Sequence, residues 1–140
     1  MRLLSIDFDG VLHPQAETLD DAKLFCWLPL LAEILEPFLD VRLAVHSTWR
    51  YNYSEKELRG LLGQLGGRVL GSVPRGPRED SILWFVHLAG VGNNFRVLDD
   101  DTAAFKSLAP EHLISCDPMQ GISASGVQQT LSRWLRQPGR

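Results

Sequence analysis

Acidic side chains follow two of the short apolar runs in this sequence. Asp7 and Asp9 come directly after the first run, and Asp99, Asp100 and Asp101 close the fourth. Carboxylates gathered in one place repel one another unless a cation lies between them. A site made of oxygen ligands favours a hard cation such as Mg²⁺, which needs few carboxylates because it keeps several of its waters. The sequence therefore predicts a magnesium site, with Asp7, Asp9, Asp99 and Asp100 as candidate ligands.

Short apolar runs alternate with helical patterns along the chain, and these elements must position the carboxylates. The runs are typical of buried strands, at Leu3–Ile6, Val41–Val45, Arg68–Leu70, Phe95–Leu98 and His112–Ser115. Apolar residues at helical spacing predict the helices between them, the last one capped by Ser123. We predict one doubly wound, Rossmann-like α/β domain over residues 1–140, with a five-stranded parallel sheet and helices on both faces. In such folds, ligands bind at the carboxyl ends of the strands, where the acids lie.

The composition describes an ordinary globular protein of 140 residues with a net charge of −3. No apolar run approaches the roughly 18 residues of a membrane span, so we expect a cytoplasmic protein without a membrane segment. The negative charge argues against a nucleic-acid binder driven by bulk electrostatics, although a small basic site remains compatible with it. Cys26 and Cys116 are expected to be buried free thiols, and Trp84 to lie in the core or at its edge.

The residues around the acids resemble the signature motifs of a known superfamily. The stretch Asp7–Val11 (DFDGV) resembles the first motif of the haloacid-dehalogenase-like superfamily. Val45–Thr48 (VHST) resembles its second motif, a strand that ends in Ser or Thr, and Val97–Asp101 (VLDDD) resembles its fourth, acidic motif. Within the superfamily, Ser47–Arg50 and Cys116–Ser123 are similar to a small bacterial group that includes phosphatase domains of RNA-repair proteins.

This resemblance implies a Mg²⁺-dependent phosphohydrolase. Asp7 would be the nucleophile that forms an aspartyl-phosphate, and Asp9 would protonate the leaving group and then activate the hydrolytic water. Mg²⁺ would be held by Asp7, by the backbone carbonyl of Asp9, and by Asp99 or Asp100. A dehalogenase is disfavoured because halide release needs no acid such as Asp9.

The same resemblance implies a set of phosphate-binding residues. Ser47 would bind a phosphoryl oxygen, with Thr48 as the adjacent alternative. The superfamily's third motif is a lysine before the fourth strand, but none of the three lysines of this chain lies there. Arg75 and Arg78 do, and Arg78 is the preferred phosphate-binding cation because it opens the predicted helix. An arginine fork differs from a lysine ammonium, so a catalytically weak or inactive domain that binds Mg²⁺ and phosphate is the alternative function.

The spacing of the motifs leaves no room for a cap domain. About 37 residues separate Asp9 from Ser47 and about 30 separate Ser47 from Arg78, and the elements that return the chain to the sheet use both intervals. The resemblance implies that a capless member acts on large partners, such as nucleic-acid ends or phosphoproteins, or uses a partner subunit as a lid. A phosphorylated macromolecule is therefore the expected partner. Nucleotides are a further possible substrate class.

Four further residues near the motifs are of interest. His13 is a candidate substrate contact in the loop after the first motif, with a surface or turn histidine as its alternative role. Arg50 is a candidate ligand for a second phosphate or a nucleic-acid end, and Trp49 for a stacked base, with packing as its alternative role. His46, inside the second strand motif, is expected to be a buried histidine with its hydrogen bonds satisfied.

A phospho-receiver domain is disfavoured because its acceptor acid would follow the third strand, where this chain has no acid.

Overall fold

The computed structural model describes residues 1–137, and in it five strands form a single sheet. The strands are β1 (Arg2–Ile6), β2 (Val41–Val45), β3 (Val69–Ser72), β4 (Phe95–Asp99) and β5 (Leu113–Ser115). Every pairing is parallel and the order across the sheet is β3-β2-β1-β4-β5. The predicted fold class is confirmed. Because β1 lies between β2 and β4, the carboxyl ends of these three strands meet at one edge.

The chain between β4 and β5 forms 3₁₀ turns. Elsewhere in the described residues, four α-helices cover the sheet: three connect the first four strands and one follows β5. They are α1 (Leu28–Leu35), α2 (Glu55–Leu61), α3 (Arg78–Ala89) and α4 (Ser125–Leu135). Their boundaries follow local sequence signals: a proline lies in the first turn of α1, and Ser54 with Glu57 forms a capping box at α2. Gly90 ends α3 in the left-handed conformation, with φ of 69°. No helix among the residues described is long and apolar enough to cross a membrane.

The apolar core lies in two layers, one on each face of the sheet. Leu4 and Ile6 of β1 pack in the layer that also holds the buried residues of α1, α2 and α4. Leu3 of β1 and Val97 of β4 point to the opposite face and pack against Ile82 and its neighbours on α3. Alternate residues of a strand point to opposite faces, so apolar residues in succession bury both sides of the sheet. The chain between the elements forms loops and short 3₁₀ turns, and within residues 1–137 no inserted subdomain interrupts the sheet.

Several predicted strand boundaries are wrong. The strands β1, β3 and β4 extend one or two residues beyond the predicted runs, and the predicted starts of the third and fifth strands are each one residue early. The third strand begins at Val69 rather than Arg68, because Gly63–Arg68 coils into 3₁₀ turns and the Arg68 guanidinium donates to the carbonyls at the end of α1. The fifth strand begins at Leu113, since Pro110–His112 forms a 3₁₀ turn. The His112 ring stacks on Phe95, with the ring centres 4.1 Å apart. The contacts of the Arg68 and His112 side chains, rather than the apolar run in the sequence, thus decide where these two strands begin.

Three other sequence predictions are wrong as well. Cys26 is exposed, in the turn before α1, while Cys116 is buried as predicted. Trp84 lies on the outer face of α3 and is 53% exposed, because the sheet-facing positions of α3 are taken by other residues. Ser123 does not cap α4: its hydroxyl donates to the Gln120 carbonyl, and the helix begins two residues later.

Candidate active site

The predicted site residues converge on one cleft at the carboxyl edge of the sheet. The cleft has a volume of about 380 Å³ and is lined by Asp7, Asp9, Gln15, Thr48, Arg78, Asp100, Asp101 and Pro118. Ser47 and Asp99 are fully buried beneath it. The residues come from the ends of β1, β2 and β4 and from the start of α3, as the strand order requires.

Asp7 is the most electrostatically stressed carboxylate of the cleft. It is 5% exposed, and its Oδ1 accepts a hydrogen bond of 2.8 Å from the Phe8 backbone N–H. Burial, and then the nearby charge of Asp99, raise its pKa to about 8, while Arg78 and the Phe8 N–H oppose this rise. A cation bound beside Asp7 would offset the repulsion and return the side chain to its ionised, nucleophilic form.

Asp99 lies behind Asp7, and both of its carboxylate oxygens accept hydrogen bonds from other groups of the protein. Its Oδ2 accepts from His46 Nε2 at 2.8 Å, and its Oδ1 accepts from the Asp101 backbone N–H at 2.8 Å. Arg78 Nη1 lies 3.2 and 3.1 Å from the two oxygens. Burial by itself would raise the pKa of Asp99, but these partners, led by the His46 hydrogen bond, lower it overall. Asp99 is therefore an ionised anchor inside the protein.

His46 holds Asp99 through a buried hydrogen-bond chain. Ser5 Oγ lies 2.7 Å from His46 Nδ1, and Asp99 accepts from Nε2, so the serine hydroxyl must donate to Nδ1. Burial lowers the pKa of His46, against the effect of Asp99, and favours the neutral ring. The order Ser–His–Asp is that of a hydrolase triad, but Ser5 is 0% exposed and no substrate can reach it. The prediction of a buried, satisfied His46 is confirmed.

Asp100 faces the cleft, and it has room there because Gly10, which lies against it, has no side chain. A Cβ atom at Gly10 would lie 2.3 Å from Asp100 Oδ2, which is closer than two such atoms can approach. Gly10 also has φ of 77°, a conformation that favours glycine. Burial and the charge of Asp99 raise the pKa of Asp100. The glycine in the first motif therefore makes room for the acid of the fourth motif.

The donor set fits a hard cation. Asp7, His46 and Asp99 offer ligand atoms within 4.8 Å of one another, but both His46 nitrogens and the Asp99 oxygens already have partners. Asp7 and Asp100 line the cleft and carry raised pKa values, as expected for carboxylates whose charge lacks a compensating cation. Between the two predicted ligands of the fourth motif, the geometry favours Asp100 for direct coordination, with Asp99 behind it.

Asp9 is held by two side chains that the sequence suggested as substrate contacts. His13 Nε2 lies 2.7 Å from Asp9 Oδ1, and the Trp49 indole N–H donates to Oδ2 at 3.2 Å. The Phe25 backbone N–H donates to His13 Nδ1 at 3.2 Å, so the ring proton sits on Nε2 and is donated to Asp9. The hydrogen bond from His13 is the main cause that lowers the pKa of Asp9. This contact joins residues four apart in a loop, where no periodic pattern signals it.

The three arginines near the cleft have different surroundings. Arg78 reaches the cleft from the first turn of α3. Arg75 instead lies over the Tyr51 ring, 4.7 Å from its centre, and donates to the Tyr51 carbonyl. The Arg50 guanidinium donates to backbone carbonyls on both sides of it, including those of Val73 at 2.7 Å and Ser47 at 2.9 Å. Contrary to the sequence-based hypothesis, Arg50 ties the loops after β2 and β3 together and has few donors left for a phosphate.

The two hydroxyl residues after β2 also differ. Ser47 Oγ accepts a hydrogen bond of 3.3 Å from the Trp49 backbone N–H and begins the 3₁₀ turn Thr48–Tyr51. Thr48 is exposed and lines the cleft. Thr48 therefore lies closer to the open space of the cleft than Ser47, although the resemblance favoured Ser47 as the residue that binds a phosphoryl oxygen.

Over residues 1–137, a parallel α/β domain without a cap, with aspartates, a hydroxyl and a cation around one cleft, is consistent with a protein of the haloacid-dehalogenase type. Comparison with family models agrees: the chain belongs to the family described as the HAD domain in Swiss Army Knife RNA repair proteins, whose model matches residues 3–127. Membership indicates a hydrolase of the phosphatase kind. Neither the curated proteins nor the solved structures include a match to this chain.

Proposed function

We propose that this protein is a Mg²⁺-dependent phosphomonoesterase that carries the phosphoryl group on Asp7. The observation that carries the proposal is the single cleft in which Asp7, Asp9, Thr48, Arg78 and Asp100 meet. A nucleophile, an acid, a phosphate-binding cation and acidic metal ligands are the parts that phosphoryl transfer needs.

The reaction divides into two displacements at phosphorus. Asp7 attacks with the oxygen that does not accept from Phe8, the bond from phosphorus to the leaving oxygen breaks, and Asp9 gives its proton to that oxygen. Asp9 then takes a proton from water, whose oxygen attacks the phosphorus and frees Asp7 and inorganic phosphate. Because His13 and Trp49 favour the ionised form of Asp9, the acid must turn from them toward the substrate to donate.

Asp7, Asp100 and the backbone carbonyl of Asp9 are the groups that would hold Mg²⁺. When bound, the ion neutralises charge so that an anionic carboxylate can approach an anionic phosphate. Arg78 and Thr48 face the same space and bind the remaining phosphoryl oxygens. Arg78 keeps the positive charge that the superfamily obtains from lysine, and its contact with Asp99 fixes its position.

The open cleft supports a large substrate. Within residues 1–137 no cap domain covers it, and Gln15 and Pro118 are the loop residues that line it. A phosphorylated end of a nucleic acid can enter such a cleft without a lid that must close. The family's description as a domain of RNA repair proteins points the same way.

A second candidate is a domain that binds Mg²⁺ and phosphate without turnover. Two observations favour it. Arg78 stands in place of a lysine and is already paired with Asp99. His13 and Trp49 bind both carboxylate oxygens of Asp9, which must leave them before it can protonate a leaving group. This candidate requires the same ligands but predicts no release of phosphate.

Phosphate release separates the two candidates. The wild-type protein is incubated with several phosphomonoesters in Mg²⁺ or in chelator, beside Asp7→Asn and Arg78→Ala variants. Arg75→Ala is the matched control, since Arg75 lies three residues away and outside the cleft. We expect Mg²⁺-dependent turnover that is abolished by Asp7→Asn, is reduced at least 100-fold by Arg78→Ala and survives Arg75→Ala. Binding of Mg²⁺ and phosphate without turnover on any substrate would establish the second candidate.

A further inference from the structure

A second pocket adjoins the catalytic cleft. It has a volume of about 310 Å³ and is lined by Asp9, Thr48, Trp49, Asn52 and Tyr53. Asp9 and Thr48 also line the catalytic cleft, so these two residues form the wall between the two spaces. Since Asp9 is the group that protonates the leaving oxygen, a leaving group that departs past Asp9 enters this second pocket. Its volume is at the lower end of the range for small-molecule sites.

The pocket contains a rigid aromatic platform. The rings of Trp49 and Tyr53 are stacked, with centres 5.5 Å apart and an angle of 21° between their planes. Trp49 is fixed from behind by edge contacts with Phe8 and Phe25, and by its hydrogen bond to Asp9. Tyr53 is the outer ring of this stack and is 39% exposed. Tyr53 therefore offers exposed aromatic surface at the pocket on which a planar ring can stack.

The polar groups of the pocket indicate what kind of ring it takes. Among residues 1–137 no cationic side chain lines it, and Arg50, the nearest arginine in sequence, is occupied by backbone carbonyls. A second phosphate is thus unsuited to this space. Asn52 is exposed at the pocket and carries both an amide donor and an amide acceptor, the pair of groups that reads the edge of a nucleobase. A bare phenyl ring would leave this amide without a partner.

We propose that this second pocket is a leaving-group subsite that binds the nucleobase next to the scissile phosphate. Tyr53 extends the stack, Asn52 hydrogen-bonds the base edge, and Asp9 meets the leaving ribose oxygen. The proposal rests on the phosphomonoesterase function above and names its substrate class: a nucleotide phosphomonoester, either free or at the end of an oligonucleotide.

The test compares two substrates in one enzyme preparation. A nucleoside monophosphate presents a base, whereas glycerol phosphate presents none, and both report the same chemical step. Loss of a base–aromatic stack in Tyr53→Ala should lower kcat/KM for the nucleotide roughly 5- to 100-fold, with glycerol phosphate changed less than about twofold. Tyr53→Phe keeps the ring and should restore the nucleotide activity. Tyr51→Ala is the matched control, since Tyr51 has the same 39% exposure but does not line the pocket.

A binding measurement keeps the proposal testable without turnover. Calorimetry with the Asp7→Asn variant and a nucleoside monophosphate, in chelator, should show binding that the added Tyr53→Ala substitution weakens by a similar factor. A single-base subsite is supported if the protein prefers the free mononucleotide over glycerol phosphate and shows the same preference for a 3′- or 5′-phosphorylated oligonucleotide. The subsite is refuted if Tyr53→Ala lowers kcat/KM equally for the nucleotide and for glycerol phosphate. It is also refuted if Tyr53→Ala lowers kcat/KM as much for phosphotyrosine as for the nucleotide while Asn52→Ala changes kcat/KM for neither. Failure to hydrolyse either substrate, with nucleotide binding intact, would instead refute the phosphomonoesterase function.

Discussion

Replacement of Asp7, the proposed nucleophile, should make the metal-free protein more stable. Asp7 is 5% exposed and lies beside Asp99 and Asp100, so the fold holds its carboxyl group in an unfavourable place for charge. Asp7→Asn preserves the shape, and the new amide oxygen can still accept from the Phe8 N–H. We therefore expect a gain in the free energy of unfolding at neutral pH, at the position on which the proposed reaction depends.

The size of the gain follows from the pKa of Asp7. This group ionises near 3.8 in the unfolded chain, whereas its pKa in the folded protein is about 8. Between these pH values the folded protein keeps a proton that the unfolded chain has lost, so its stability falls as pH rises through this window. Each pH unit above 3.8 amounts to about 1.4 kcal/mol. The variant should therefore be more stable by up to about 4 kcal/mol at pH 7, and by almost nothing at pH 3.

Urea denaturation in chelator across this pH range measures the difference between wild type and variant. Asp80→Asn removes an equal charge from the exposed side of α3 and controls for the loss of charge alone. Addition of Mg²⁺ should raise the stability of the wild type and reduce its difference from the variant, because the ion compensates Asp7. A variant that is less stable at pH 7, or a difference that does not grow with pH, would refute the electrostatic description of the cleft.

Three other substitutions test separate parts of the site. Gly10→Ala places a Cβ 2.3 Å from Asp100 Oδ2 and should weaken Mg²⁺ binding at least tenfold by calorimetry; unchanged affinity would exclude Asp100 as a ligand. Arg78→Lys should retain more kcat/KM than Arg78→Ala, because a positive charge remains; equal loss in both would mean that only the guanidinium shape matters. His46→Ala should lower the free energy of unfolding by about 2–4 kcal/mol, since it leaves buried Ser5 and Asp99 without a partner; a loss below about 1 kcal/mol in urea denaturation would contradict this buried chain.

Local patterns were sufficient to predict the sheet and the acids at its edge. The apolar runs at β1, β2 and β4 bury both faces, which only a covered parallel sheet allows. Once these strands are neighbours, Asp7 and Asp99 must meet, whatever the details of the loops. The start of α3 was equally predictable, and with it the approach of Arg78 to the cleft.

The contacts of side chains across loops were not predictable in this way. Arg50 follows the second motif, as a phosphate ligand would, but the loop after β3 brings carbonyls to its guanidinium. His13 contacts Asp9 through one ring nitrogen while the other accepts from the backbone N–H of Phe25, twelve residues further along the chain. Such contacts depend on the conformation of long loops, which hydrophobic periodicity does not encode.

Boundaries and exposure were missed for a related reason. Cys26 sits where a helical pattern and an irregular turn have similar composition, and the turn carries it outward. Trp84 belongs to a helix whose opposite side is also apolar, so the sequence does not tell which side faces the sheet. The outcome in both cases is decided by tertiary packing.

Trapping the phosphorylated enzyme tests the central claim most directly. Wild-type protein is mixed with a phosphomonoester and Mg²⁺, quenched in acid during turnover, digested and analysed by mass spectrometry. A phosphoryl group on the peptide that contains Asp7, absent in chelator and in the Asp7→Asn variant, is the predicted result. Steady release of phosphate with no phosphoryl group on Asp7, or undiminished release by Asp7→Asn, would contradict the role of Asp7 as nucleophile.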